Sequence, residues 1–131
     1  MIIKSNDRCF ACGKNNPIGL KLKFTPIPNG VRTEFIPAKQ FEGFQDIIHG
    51  GIVATVLDEA IAWACRSCGV DAVTGEITVR YKKTLITNKP VSVYGIIEKN
   101  KGKLLLGSAY IKDKNGTVIA TATAKMVKIS S

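Results

Sequence analysis

The chain has 131 residues, 45% hydrophobic and 22% charged, with 19 Lys and Arg against 10 Asp and Glu and a formal net charge of +9. Such a composition excludes a disordered tail and fits one globular domain over 1–131. No apolar run reaches the ~20 residues of a membrane span, and the N-terminus lacks the long apolar stretch of a secretory signal, so a cytoplasmic, membrane-free protein is expected.

Residues 1–19 are rich in turn formers (Cys12-Gly13, Asn15-Asn-Pro17, Gly19) and read as an irregular arm. Leu20 to Phe24 alternates apolar and basic, which predicts a strand; Pro26-Ile-Pro-Asn-Gly30 predicts a turn, and Val31 to Ile36 the returning strand of a hairpin. Residues 37–48 form a loop with Phe41, Gly43 and Phe44. From Ile52 to Cys65 the sequence is rich in Ala and apolar on nearly every side, which predicts a helix buried on most faces and stopped near Gly69. The remainder is strand-like: Glu76–Leu85, Val91–Glu98, Leu104–Lys112 and Thr117–Ile129, with turns at Asn88-Lys-Pro90, Asn100-Lys-Gly-Lys103 and Lys114-Asn-Gly116. The order is β-β-α-β-β-β-β, an α+β plan in which a long antiparallel sheet curls around one helix.

Four cysteines form two C-x-x-C pairs, Cys9/Cys12 and Cys65/Cys68. Together they could supply four thiolates to zinc. The pairs lie far apart in sequence, however, and the second ends an apolar helix. Free thiols in a chain without metal are the expectation.

His49-Gly50-Gly51 opens the helix, and Asp58 follows within it. The first N–H groups of a helix have no internal acceptor and sit at its positive end, so Gly50 and Gly51 offer donors to a carbonyl oxygen gaining negative charge. A helix start packed tightly against a strand explains the same glycines. An Asp in an apolar helix is costly to bury unless paired or useful. The adjacent Glu59 could be the paired or solvent-facing residue instead, and one carboxylate facing water with the other bound to a Lys or Arg would explain both without chemistry.

The segment Ile48-His-Gly-Gly-Ile-Val-Ala-Thr-Val-Leu-Asp-Glu-Ala resembles the signature of hotdog-fold acyl-coenzyme A thioesterases of the phenylacetate-degradation, or PaaI-like, type. The arm from Cys9 to Leu20 resembles one found in a branch of these proteins. The resemblance implies hydrolysis of an acyl-CoA thioester. Gly50 N–H would polarise the carbonyl, and Asp58 would act as general base or nucleophile. Thr74, entering the strand after the helix, would hold the water or the carboxylate, while His49 would fix the loop before the helix. Some relatives carry Asn or Gln six positions before the His; here that position is Gly43, so the oxyanion role rests on backbone donors.

The basic residues Arg80, Lys82, Lys83 and Lys101, with Gly51, are the candidate contacts for coenzyme A, whose phosphates need cations. Lysines guarding a solvated strand edge would look the same. No cofactor is required. The implied assembly is a homo-oligomer, a dimer or a dimer of dimers, with no nucleic-acid partner. Two alternatives stand beside the enzyme: an acyl-CoA binding protein of the same fold without turnover, and a zinc-linked basic nucleic-acid binder.

Overall fold

The computed structural model describes residues 7–129; the first six positions of the arm and the last two of the chain lie outside them. The elements are β1 (Thr25–Ile27), β2 (Gly30–Phe35), a short 3-10 turn (Lys39–Phe41), α1 (Gly50–Ser67), β3 (Ala72–Tyr81), β4 (Val91–Lys101), β5 (Leu104–Asp113) and β6 (Val118–Lys128). All six strands join one antiparallel sheet in the order β1-β2-β4-β5-β6-β3. The sheet wraps α1, which is the hotdog fold. Among the described residues no helix is long and apolar enough to cross a membrane.

The helix is a consequence of local chemistry. Val53, Val56, Leu57, Ala60, Ile61, Ala64 and Cys65 are buried, the 3–4 spacing of one helical stripe. No residue from Ile52 to Cys65 is fully exposed, as the apolar run predicts. The helix is longer than that run because His49 caps its start and Gly69 ends it. Gly69 sits at φ +78; its N–H donates to Arg66 O (2.9 Å), and Val70 N–H donates to Cys65 O (3.2 Å). This pairing satisfies two carbonyls that the last helical turn leaves open.

Two strand glycines let helix and sheet approach closely. A Cβ on Gly95, in the middle of β4, would stand 2.1 Å from Ala60 O; one on Gly107, in β5, would stand 2.6 Å from Ile61 Cγ2. Only a strand without side chains there admits α1 at this depth.

Three strand assignments differ from expectation. Leu20 and Leu22 are buried and Lys21 and Lys23 exposed, so the alternation is real, but Leu20 and Leu22 donate to Phe10 O and Ala11 O. The segment pairs with the arm, and Lys21 at φ 57 breaks any regular strand. The first hairpin turns later than expected, at Pro28-Asn29, with Pro26 inside the edge strand β1, where a missing N–H costs little. The strand after the helix starts at Ala72 and ends at Tyr81; Lys82 and Lys83 both donate to Ile119 O and leave the ladder.

Gly95→Ala should cost ~3 kcal/mol, the upper end of overpacking effects, because the obstacle is backbone; Gly107→Ala should cost nearer ~1 kcal/mol, because the Ile61 methyl can shift. Thermal unfolding of both variants reads the difference, and equal losses would show that α1 can retreat from β4.

Candidate functional site

The N-terminus of α1 opens onto a cavity of about 660 Å³. It is bordered by the Gly43–Gly50 segment, by Val53, and by Tyr81 through Leu85. His49 fixes the entry. Its Nδ1 accepts the Gly51 N–H (2.9 Å), and its own N–H donates to Phe41 O (2.9 Å). An accepting Nδ1 leaves the proton of the neutral ring on Nε2. Tyr81 Oη donates to Gly50 O (2.8 Å), pinning the first helical residue to the end of β3.

This arrangement separates the two glycines. The Gly51 N–H is consumed by His49, and Gly51 lies on the other side of the loop, toward Gln40 and Thr55. The Gly50 N–H has no acceptor among the described residues and borders the cavity. One free donor remains where the sequence suggested two.

Asp58 lies two helical turns further on, half-buried. Thr74 Oγ1 donates to its Oδ1 at 2.5 Å. Thr74 immediately precedes a β-bulge between Thr74 and Glu76, where the register of β3 against β6 shifts. A bulge re-aims side chains. Asp58 Oδ2 has no partner among the described residues. Glu59 is rotated about 100° from Asp58 around the helix. It faces the arm, where Cys9 Sγ stands 3.4 Å from its Oε2. The structure thus gives the adjacent carboxylates different partners on different elements.

Gly50 and Asp58 are eight residues apart on α1, a rise of ~12 Å between their backbones along an α-helix. A single reacting carbonyl cannot touch both within one chain. The basic residues divide similarly. Lys82 and Lys83 border the cavity, whereas Arg80 projects from exposed β3 outside its lining. Lys101 lies at the far end of the sheet: it pairs with Leu104, which pairs with Val127, which pairs with Val73. Tyr81, beside the cavity, ends β3 at the opposite end.

β3 forms one border of the sheet. Only Ala72, Ile77 and Val79 on it are half-buried; the other positions, including apolar Val73 and Tyr81, are exposed. Phe44, at the cavity mouth, is 83% exposed.

The cysteine pairs do not meet in a four-thiolate cluster among the described residues. Cys65 is part of the core, and burial, then the charge of Cys68, pushes its thiol up to about 11. Cys12 is pushed up to about 12, first by burial, then by its hydrogen bond with Glu59. The association of Cys9 and Cys12 with Glu59 was not legible in the sequence, because nothing local couples the arm to the middle of the helix.

Residues 45–120 match the family profile described as the thioesterase superfamily. Acyl-coenzyme A thioesterase THEM4 of Xenopus laevis is 31% identical over 97 residues, which cover 72% of this chain and 43% of that protein. The chain therefore spans less than half the length of this curated relative. Among solved structures, protein RHA08564, a thioesterase superfamily protein, superposes with a TM-score of 0.88 at 19% identity, covering 92% of this chain and 60% of that one. The E. coli PaaI protein of the phenylacetic acid degradation operon gives 0.79 at 18% identity, covering 86% and 82%. These two likenesses are of fold. The profile spans more than half of the sequence, including the His49 to Asp58 segment and Thr74, and the chain belongs to the hotdog-fold thioesterase superfamily.

Proposed function

We propose that this protein hydrolyses an acyl-CoA thioester, and that each site is shared between two chains. The observation carrying this reading is the Asp58 carboxylate, half-buried on α1 and held by Thr74, with one oxygen free among the described residues. A protein that only bound acyl groups would gain nothing from a half-buried acid. The cavity beside Gly50 offers an apolar surface to the acyl chain, and Lys82 and Lys83 at its rim offer cations to phosphates. The curated relative that aligns with most of this chain is named as an acyl-coenzyme A thioesterase.

The ~12 Å between Gly50 and Asp58 argues for a shared site. Antiparallel pairing of two β3 edges would run two α1 helices in opposite directions and set Gly50 of one chain toward Asp58 of its partner subunit. The same operation would bring the Lys101 end of one sheet toward the cavity end of the other. It would also cover Val73 and Tyr81, which are exposed in the single chain.

In the hydrolytic step Gly50 N–H donates to the thioester carbonyl oxygen, and the helix N-terminus stabilises the negative charge that grows there. Asp58 acts by one of two routes. As general base it takes a proton from water; the hydroxide adds to the carbonyl carbon, the C–S bond breaks, and the departing thiolate recovers the proton. As nucleophile Asp58 adds directly, expels the thiolate and leaves an anhydride that water cleaves. Single-turnover hydrolysis in ¹⁸O-water separates the two: label enters the Asp58 carboxylate only by the second.

Asp58→Asn should lower turnover by ~10²-fold or more while leaving the melting temperature nearly unchanged, since the amide fills the same space. Thr74→Ala should fall between this variant and the native enzyme. Wild-type turnover in Asp58→Asn would end the catalytic assignment.

The shared site has a sharper test. Gly50→Pro deletes the N–H at a helix position that tolerates proline, and His49, with ψ 134, already has the extended backbone that precedes proline. Turnover should drop by ~10²-fold or more. Mixing the inactive Gly50→Pro and Asp58→Asn chains should restore roughly a quarter of native activity, because half the dimers then hold one intact site of two. No recovery after verified subunit exchange, or a stable monomer in light scattering, would refute sharing.

Affinity for coenzyme A should fall with added salt, and Lys82→Ala should raise KM more than it lowers kcat. An unchanged KM would place the phosphates elsewhere.

A further inference from the structure

The arm carries a second constellation away from the cavity. Cys9-Phe-Ala-Cys12-Gly13 folds into a tight turn. Gly13 N–H donates to Cys9 O (2.9 Å), and Cys12 N–H points at Cys9 Sγ (3.5 Å). A Cβ on Gly13 would lie 2.4 Å from the Cys9 nitrogen, so this turn closes only over glycine. It places both sulfurs on one side, with a backbone N–H available to a thiolate.

A third ligand type arrives from another element. Glu59, on the flank of α1 that faces the arm's thiols, brings Oε2 to 3.4 Å from Cys9 Sγ. One atom from each of Cys9, Cys12 and Glu59 lies within 4.8 Å of the others. With Zn–S of about 2.3 Å and Zn–O of about 2.0–2.2 Å, neighbouring sulfur and oxygen corners of a zinc tetrahedron stand about 3.5 Å apart. The Cys9–Glu59 separation already matches that edge.

We infer that Cys9, Cys12 and Glu59 form a binding site for a thiophilic divalent cation of the zinc class. The geometry pairs the first C-x-x-C motif with a helix carboxylate instead of with Cys65 and Cys68. Two thiolates and one carboxylate leave a zinc ion with one excess negative charge. Lys14, Lys23 and Arg66 border, with Cys9, Cys12 and Asp7, a separate cavity of about 390 Å³ and supply compensating charge. Its opening leaves room for a fourth ligand, a water or the nearby Asp7. The metal would tie the arm to the helix at the residue next to Asp58.

The test uses the full chain, reduced and stripped of metal by a chelator, then titrated with Co²⁺ and afterwards with Zn²⁺. The expected result is one Co²⁺ per chain with a thiolate-to-cobalt charge-transfer band, bleached by one equivalent of Zn²⁺, and a melting temperature raised by Zn²⁺. Cys9→Ser, Cys12→Ser and Glu59→Gln should each weaken metal binding by ~10-fold or more, since even groups behind the ligands have effects of that size. Cys68→Ser should change nothing. Glu59→Gln keeps the shape of the side chain, so it decides the matter if either arm variant fails to fold. Absence of the charge-transfer band at one equivalent, native affinity in Glu59→Gln, or loss of binding in Cys68→Ser would each overturn the assignment. None of these readouts depends on thioester turnover.

Discussion

The approach of α1 to the middle of the sheet governs the rest of the molecule. Gly95 presents bare backbone to Ala60, and Gly107 presents bare backbone to Ile61. With no side chains between them, the helix sinks into the concave face until Val56, Leu57, Ala60, Ile61, Ala64 and Cys65 are completely removed from solvent. Burial on this scale is what stabilises an 18-residue helix that has few charged pairs of its own. It also fixes where the helix cannot reach. Its flanks and its first turn, not its buried stripe, carry the polar groups of the two candidate sites.

Those flanks carry two adjacent acids with different fates. Asp58 turns toward β3 and accepts from Thr74, and Glu59 turns toward the arm and meets Cys9. The 100° step of the helix is enough to send neighbours in sequence to separate parts of the molecule. A rigid helix therefore links the candidate catalytic carboxylate to the thiols of the arm, and anything that holds the arm also holds the flank next to Asp58. At the helix start the same economy operates. His49 spends its Nδ1 on Gly51 and leaves the Gly50 N–H free toward the cavity.

The border strand β3 is the open side of this design. It is ten residues long, largely exposed, and carries apolar Val73 and Tyr81. Long free edges are templates for another strand, and proteins normally shorten, charge or cover them. The proposed pairing of two chains here would join edge protection to the assembly of a site whose halves lie too far apart on one helix.

Much of this was written locally in the sequence. The helix, its stop at Gly69, the later hairpin turns and the β-β-α-β-β-β-β order follow from apolar periodicity and from residues that accept unusual backbone angles, which act over a few positions. The motif from His49 to Asp58 was likewise legible, because its spacing along a helix is set by helix geometry. What sequence did not determine was every partnership across the fold. The alternation in Leu20–Phe24 showed which side chains are buried, but the hydrogen bonds go to the arm. Two glycine donors were legible, yet only the folded loop shows His49 taking one of them. Lys82 and Lys101 look equivalent in a list of basic residues, while strand register sends them to opposite ends of the sheet. Cys9 and Cys12 could be paired on paper only with other cysteines, and the fold gives them Glu59. Local propensity acts between near neighbours, whereas these contacts join residues tens of positions apart, and only the packing of helix against sheet decides which of them meet.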